Sequence, residues 1–377
     1  MAELVDAHDS KSCGVIHGSS ILPPGTEITE MKKIPLLVIL GPTASGKSDL
    51  AVKIAKMIAR ERVGGFKGAE IISADSRQIY RGMDIGTGKI TKKEMQGIPH
   101  HLLDVADPNN RFDAEQYRIL ARATIDDVVS RGKLPIICGG TGFYIDTILK
   151  ENLFPNIPPD ENLRKKLSKK SVTQLLLILK KLDPKRAQII SKSNSEKNNA
   201  RRIVRAVEIA SFAGQMLEMT RKGKMEGRRF KVSTGRSGAS AQGIERPSLL
   251  HQYAPIFIGI KLSKEDLKKR IRARLLQRLK NGMIAEARRL HEPRTSKNPA
   301  GGLSWKRMEE LGLEYRYLAK YLQGKMSKEE FVEKLNTEIW HYAKRQMTWF
   351  RRNSKIQWFG LKQESKVRKI VDRLLKK

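Results

Sequence analysis

Two periods of apolar spacing alternate along the chain. Short apolar runs recur at Ile34 to Leu40, Ala69 to Ser73, Leu134 to Cys138 and Ala254 to Leu262. Their length and β-branched content predict strands buried in a sheet. Helical spacing fills the stretches between them. It runs from Asp49 to about Arg62, from Phe112 to Arg131 with Asp113 as the cap, and from Lys264 to about His291. In the last of these, Leu267, Ile271, Leu275 and Leu279 recur every fourth residue as a buried stripe, with Arg270, Arg274 and Arg278 on the adjacent flank. Two further helices are expected at Leu311 to Leu322 and Lys328 to Arg351. Strands alternating with helices predict an α/β fold around a parallel sheet.

The pattern also divides the chain. Residues 1–31 have neither period and no apolar signal core, so a disordered tail is expected, with Met31 as the natural start. The core is expected at 32–152. At Leu153 the composition shifts, and Pro155, Pro158 and Pro159 mark a hinge into a helical insertion at 153–205 with 14 Lys+Arg against 4 Asp+Glu. The remainder, 206–377, returns to the core and closes with helices. Within it, 221–247 reads as a flexible basic loop of 8 Lys+Arg against 2 Glu.

Charge changes the picture more than composition does. With 74 Lys+Arg against 40 Asp+Glu, the 377-residue chain carries +34. Such an excess points to a polyanionic partner, most simply nucleic acid, or else to a generally basic proteome. No apolar run reaches the ~20 residues of a membrane span, and no membrane partner is expected. Cys13 and Cys138 are the only cysteines, too few for a disulfide framework or a four-ligand zinc site. A reducing cytoplasm and a monomer are the expectations.

The candidate chemistry starts at Gly41-Pro42-Thr43-Ala44-Ser45-Gly46-Lys47-Ser48, between the first strand and the first helix. The spacing G-x-x-x-x-G-K-[ST] is that of a phosphate loop. Gly41 and Gly46 let successive N–H groups turn toward an anion, and the helix start adds its positive end. Lys47 supplies a point charge, and the Ser48 hydroxyl is the candidate ligand for Mg²⁺. The second strand leads into Asp75-Ser76-Arg77-Gln78, which topology places beside that loop. Gly82 to Lys89 reads as a turn, and the adjacent His100 and His101 as structural hydrogen bonders. Leu134 to Cys138 runs into Gly139-Gly140-Thr141, where a nucleoside triphosphatase would often carry a magnesium-holding Asp.

The basic clusters admit two readings each. Arg202 and Arg205 share a helix side with phosphate-facing potential, or form a solvated face. Trp340 to Arg351 interleaves aromatics with Lys344 and Arg345, which suits base stacking or an ordinary core. Arg270, Arg274 and Arg278 aim at a ligand or simply snorkel.

Taken in order, the phosphate loop, Asp75 to Tyr80, Gly82 to Thr87, Pro99 to Asp104, Gly139 to Thr141, Arg201 to Arg205 and Lys344 to Trp349 resemble the tRNA dimethylallyltransferase family, over about Ile34 to Gly360. The resemblance implies a phosphate-loop sheet core with an inserted helical tRNA-binding domain. It implies transfer of a dimethylallyl group from dimethylallyl diphosphate to the N6 amine of the adenosine 3′ of the anticodon, with diphosphate leaving. It implies Asp75 as general base, and Lys47, Ser48 and Arg274 at the diphosphate and Mg²⁺. It also implies tRNA contacts at Asp75, Ser76, Arg77, Gln78, Thr141, Arg201, Arg202, Arg205, Leu311 to Arg316, Lys344, Arg345 and Gln346. The alternative from the residues alone is a phosphate-loop kinase or ATPase acting on nucleic acid.

Overall fold

Among the described residues, six strands line up as one all-parallel sheet, in the order β3-β2-β4-β1-β5-β6. They are β1 (Ile34–Leu40), β2 (Ala69–Ser73), β3 (His100–His101), β4 (Leu134–Gly139), β5 (Tyr253–Ile260) and β6 (Gln357–Phe359). This computed structural model describes residues 33–150, 157, 160–192, 197–221 and 252–376. The expected tail at 1–31, the hinge prolines and the basic loop from 222 to 247 lie outside these residues.

The apolar runs become strands because each is needed on both faces. In β1, Leu36, Val38 and Leu40 join one core, and Leu37 and Ile39 join the other. β1 is flanked by β4 and β5, with Leu37 opposite Ile136 and Ile256. Burial of each such Leu or Ile contributes about 1.5–3 kcal/mol. The first core packs under the helices Ala114–Ser130, Lys264–Lys280 and Lys328–Phe350. The second packs under Lys47–Glu61 and Glu364–Leu375. Asp113 caps its helix by accepting from the Glu115 and Gln116 N–H groups, while Gln116 reaches back to the Asp113 N–H.

Helices Glu161–Leu167, Val172–Leu182, Pro184–Lys192 and Ala200–Arg221 share a third core of their own, built on Leu175, Leu179, Ile190 and Ile203. The boundary expected at 205 falls inside the Ala200–Arg221 helix, so the helical unit runs further than the charge pattern indicated.

Other expectations shift for local reasons. The helix expected from Lys264 to His291 is two, Lys264–Lys280 and Met283–His291. Gly282 between them is left-handed at φ 95°. Leu279 is consequently only half-buried, and Arg278 takes a buried place. The helix expected from Leu311 to Leu322 runs from Leu313 to Leu322, and Gly312 at φ 77° parts it from a further helix, Trp305–Leu311, that was not expected. His100 and His101 are a short edge strand in register with Ile71 and Ile72.

Candidate active site

The carboxyl ends of β1, β4 and β2 lie side by side, which brings three separate loops together. The phosphate loop leaves β1, Gly139-Gly140-Thr141 leaves β4, and Asp75-Ser76-Arg77-Gln78 follows β2. A cavity of about 670 Å³ opens between them.

In the phosphate loop, glycine is required by shape. Gly46 sits at φ 88°, and a side chain there would strike Leu361 at 2.9 Å. A side chain at Gly41 would come within 2.8 Å of Ser45 Oγ and 2.9 Å of Ile260 O. Pro42 and Ser45 are buried in the turn, where Ser45 N–H donates to Pro42 O at 3.2 Å. Ala44 turns the chain at φ 60°, and its carbonyl accepts from Arg270 Nε at 2.8 Å. Thr43, Lys47 and Ser48 line the cavity. Lys47 Nζ donates to Pro42 O at 3.3 Å. Burial lowers the Lys47 pKa, an effect partly opposed by Cys138 and Asp75. Arg274 enters from across the cleft, donating to Gly88 O at 2.9 Å and reaching Thr43 Oγ1 at 3.5 Å. Burial, and then the neighbouring Arg278, pull its guanidinium below the usual range. Two cations held against their desolvation cost suit a polyanion, whose charge offsets it.

Asp75 is half-buried on the cavity wall. Its Oδ1 accepts from Arg77 N–H at 2.9 Å, and Gln78 Nε2 approaches Oδ2 at 3.5 Å. Thr141 Oγ1 accepts from Ser76 N–H at 3.0 Å, tying the β2 and β4 loops together. Cys138 is buried beside Ser48, which hydrogen-bonds its thiol, and burial pushes that thiol up to about 11. It stays neutral and is no nucleophile.

The structure also explains the Gly-Gly where an Asp stands in many triphosphatases. A side chain at Gly139 would meet Ala74 O at 2.2 Å, and one at Gly140 would meet Gln346 Nε2 at 2.3 Å.

The arginines differ in what holds them. Arg77, Arg201, Arg316 and Arg345 line the cavity with Arg274 and Arg278. Arg278 is buried, paired with Glu314 at 3.1 Å and bonded to Gly86 O at 3.1 Å, so it also holds the Gly82–Lys89 loop. Arg205 pairs with Glu208 and donates to Ile157 O at 2.7 Å, turned inward rather than to the shared outer face expected with Arg202. Arg202 is exposed and outside the cavity wall. Lys344 is exposed with its ammonium 5.8 Å from the Trp340 ring, away from the cavity lining. Gln346, expected as a tRNA contact, is buried, and both ends of its amide are held by backbone.

Glu286 had no signal in the sequence beyond a helical position. Its buried carboxylate accepts from the N–H groups of Asp84, Ile85 and Gly86 at 2.8, 2.6 and 2.9 Å, and from the Tyr315 hydroxyl at 2.6 Å. The glycine-rich stretch is therefore an anchored loop, and it presents Gly88 O to Arg274. Tyr342, which lines the cavity and hydrogen-bonds Thr141, was likewise not singled out.

The sequence model of the IPP transferase family matches residues 78–353. The chain belongs to the IPP transferase family. Family members with high similarity include tRNA dimethylallyltransferase 2 of Treponema denticola, 38% identical over 85% of this chain and 92% of that one. The tRNA dimethylallyltransferase of Anoxybacillus flavithermus is 34% identical over 90% and 94%. Among solved structures, the full-length tRNA isopentenylpyrophosphate transferase of Bacillus halodurans superposes with a TM-score of 0.58 at 31% identity, covering 91% of this chain and 97% of that one. A eukaryotic dimethylallyltransferase acting on tRNA shares the fold, at a TM-score of 0.64 and 23% identity. Family membership sets the kinase and ATPase alternative aside.

Proposed function

We infer that this enzyme is a tRNA dimethylallyltransferase: it transfers a dimethylallyl group from dimethylallyl diphosphate to the N6 amine of the adenosine 3′ of the tRNA anticodon. The observation that carries the reading is one cavity holding a phosphate loop and, facing it, the Asp75 carboxylate. The bond from C1 of the donor to its diphosphate oxygen breaks, and the oxygen keeps the electron pair. The bond from C1 to N6 forms, and the N6 proton passes to Asp75. An aryl amine is a weak nucleophile, so most of the rate rests on stabilising the leaving diphosphate at Lys47, Arg274 and the loop N–H groups. Positioning supplies the rest.

Ser48 is the residue that would hold Mg²⁺ at this site, together with oxygens of the donor diphosphate. Ser48 offers one hydroxyl at the helix start, and among the described residues no group of three acidic, His or Cys side chains forms a separate cage. Bound there, it would add positive charge to the leaving diphosphate.

The adenine must leave the anticodon loop stack to reach Asp75. Arg77, Arg201, Arg316 and Arg345 line the same cavity and are suited to the flanking phosphates. No helix among the described residues is long and apolar enough to cross a membrane.

The test is incubation of unmodified tRNA with the enzyme and dimethylallyl diphosphate or, separately, ATP. A mass gain of one dimethylallyl group on the adenosine 3′ of the anticodon, without ATP consumption, is expected. Unaltered tRNA would refute the reading.

A further inference from the structure

Gln346 lies on the Lys328–Phe350 helix with 6% of its surface exposed. Its Oε1 accepts from the Thr43 N–H of the phosphate loop at 2.8 Å. Its Nε2 donates to Gly140 O at 2.7 Å. The partners fix the amide orientation, because a backbone N–H only donates and a carbonyl only accepts. A side chain on Gly140 would have to occupy space 2.3 Å from Nε2, so the glycine and the amide are fitted to each other. One helical turn on, Trp349 Nε1 donates to Asp146 Oδ2 at 3.1 Å, and Trp349 stands 2.2 Å from where a side chain on Gly142 would begin. The helix thus grips the β4 loop at Gly140 and, one turn on, the helix Gly142–Leu149 that follows that loop, and at the first point it also holds the phosphate loop. Gln346 and its neighbour Arg345 both line the cavity, but Arg345 is exposed and makes no such tie to the loops, while the polar ends of the Gln346 amide are already taken by backbone.

We propose that Gln346 is a positioning residue of the diphosphate site and not a nucleic-acid contact. The amide holds the Thr43 and Gly140 backbones in register, so that the N–H groups of the phosphate loop converge on one anion. The choice of diphosphate as the anion rests on the transferase reading above.

Gln346→Met keeps length and loses both hydrogen bonds. Without tRNA, titration calorimetry with Mg²⁺ and inorganic diphosphate should show affinity about tenfold weaker, the size expected when a buried hydrogen bond is lost and its partner left unpaired. In steady state the KM for dimethylallyl diphosphate should rise, while the tRNA Kd from filter binding stays within about twofold, as for sites that do not interact. Gly140→Ala should reproduce the defect by displacing the amide. Placed on Gln346→Ala, which removes the atom it would strike, it should cost less than in the parent, a non-additivity only contacting residues show. Weakened tRNA binding with unchanged diphosphate affinity would overturn the proposal, as would an equal fall in both or strict additivity of the pair. If the parent enzyme left tRNA unmodified, the transferase reading would fall, yet inorganic diphosphate binding would still decide the role of Gln346.

Discussion

Removing the Glu286 carboxylate tests whether the Gly82–Lys89 loop is an anchored part of the site. Glu286 is 3% exposed and accepts four hydrogen bonds, three from consecutive backbone N–H groups. Bonds to a charged acceptor contribute about 1.5–3 kcal/mol each. Four would sum to roughly 6–12 kcal/mol if they were independent. They share one carboxylate, and water can reach the freed N–H groups once the loop loosens, so additivity fails. A loss of about 3–5 kcal/mol for Glu286→Ala is expected, at the upper end for a single substitution in a buried network. Glu286→Gln keeps the shape and one acceptor oxygen, but turns an NH₂ toward backbone donors, and should lose about 1–3 kcal/mol. Tyr315→Phe deletes only the fourth bond and should lose about 1.5–3 kcal/mol, less than Glu286→Ala. Urea unfolding gives the order through the midpoint at a constant slope. Hydrogen exchange should locate the change, with amides 84–86 losing protection first. Because Arg274 donates to Gly88 O in this loop, weaker diphosphate binding should accompany the loss. A Glu286→Ala protein within about 0.5 kcal/mol of the parent, the range of an ordinary surface change, with those amides still protected, would refute the anchoring argument.

Three further outcomes follow from the site. Asp75→Asn should lower turnover ~10²–10⁴-fold, the usual worth of a placed base; donor–Mg²⁺ affinity stays near normal, whereas weakened affinity rescued by excess Mg²⁺ would make Asp75 a metal ligand instead. Binding of tRNA should weaken steeply between low and moderate salt as counterions are released, and Arg201→Ala should flatten the slope by roughly one charge; a salt-independent Kd would leave the basic residues without a nucleic-acid role. For pH, burial lowers the Lys47 pKa from its ordinary 10.5, and the negative charge of a bound diphosphate would oppose that. Diphosphate affinity should therefore fall as pH rises through the lowered value, with Lys47→Arg moving the fall to higher pH; identical profiles for the two proteins would show that Lys47 is not the titrating group.

Much of the chemistry was legible because it is local. The phosphate loop needs glycines, a lysine and a hydroxyl at fixed spacing between a strand and a helix, and the apolar runs around it could only be strands buried on both faces. Asp75 could be placed beside it because parallel strands put their carboxyl ends together. The helix from Lys264 to Lys280 also declared itself, but its continuation did not, since the left-handed turn at Gly282 has no apolar period to announce it.

Side-chain assignments across long separations were decided only in the folded molecule. By spacing alone Arg274 and Arg278 are equivalent, one turn apart on the same flank, and only the family resemblance favoured Arg274. Packing sends Arg274 to Thr43 and Gly88, and buries Arg278 against Glu314. Arg205 looked equivalent to Arg202 until Glu208, buried within its own helical unit, claimed it. Gln346 sits in a basic, aromatic stretch that reads as nucleic-acid binding, yet it closes a bridge to Thr43, 303 residues away along the chain. Glu286 anchors Gly86 across 200 residues. The sequence by itself determined which residues could bind phosphate and which segments had to be strands, because those demands act over a few neighbouring positions. The tertiary structure alone decided which charged and amide groups reach the cavity and which hold loops beside it, because a buried polar group takes whatever partner the fold brings to it.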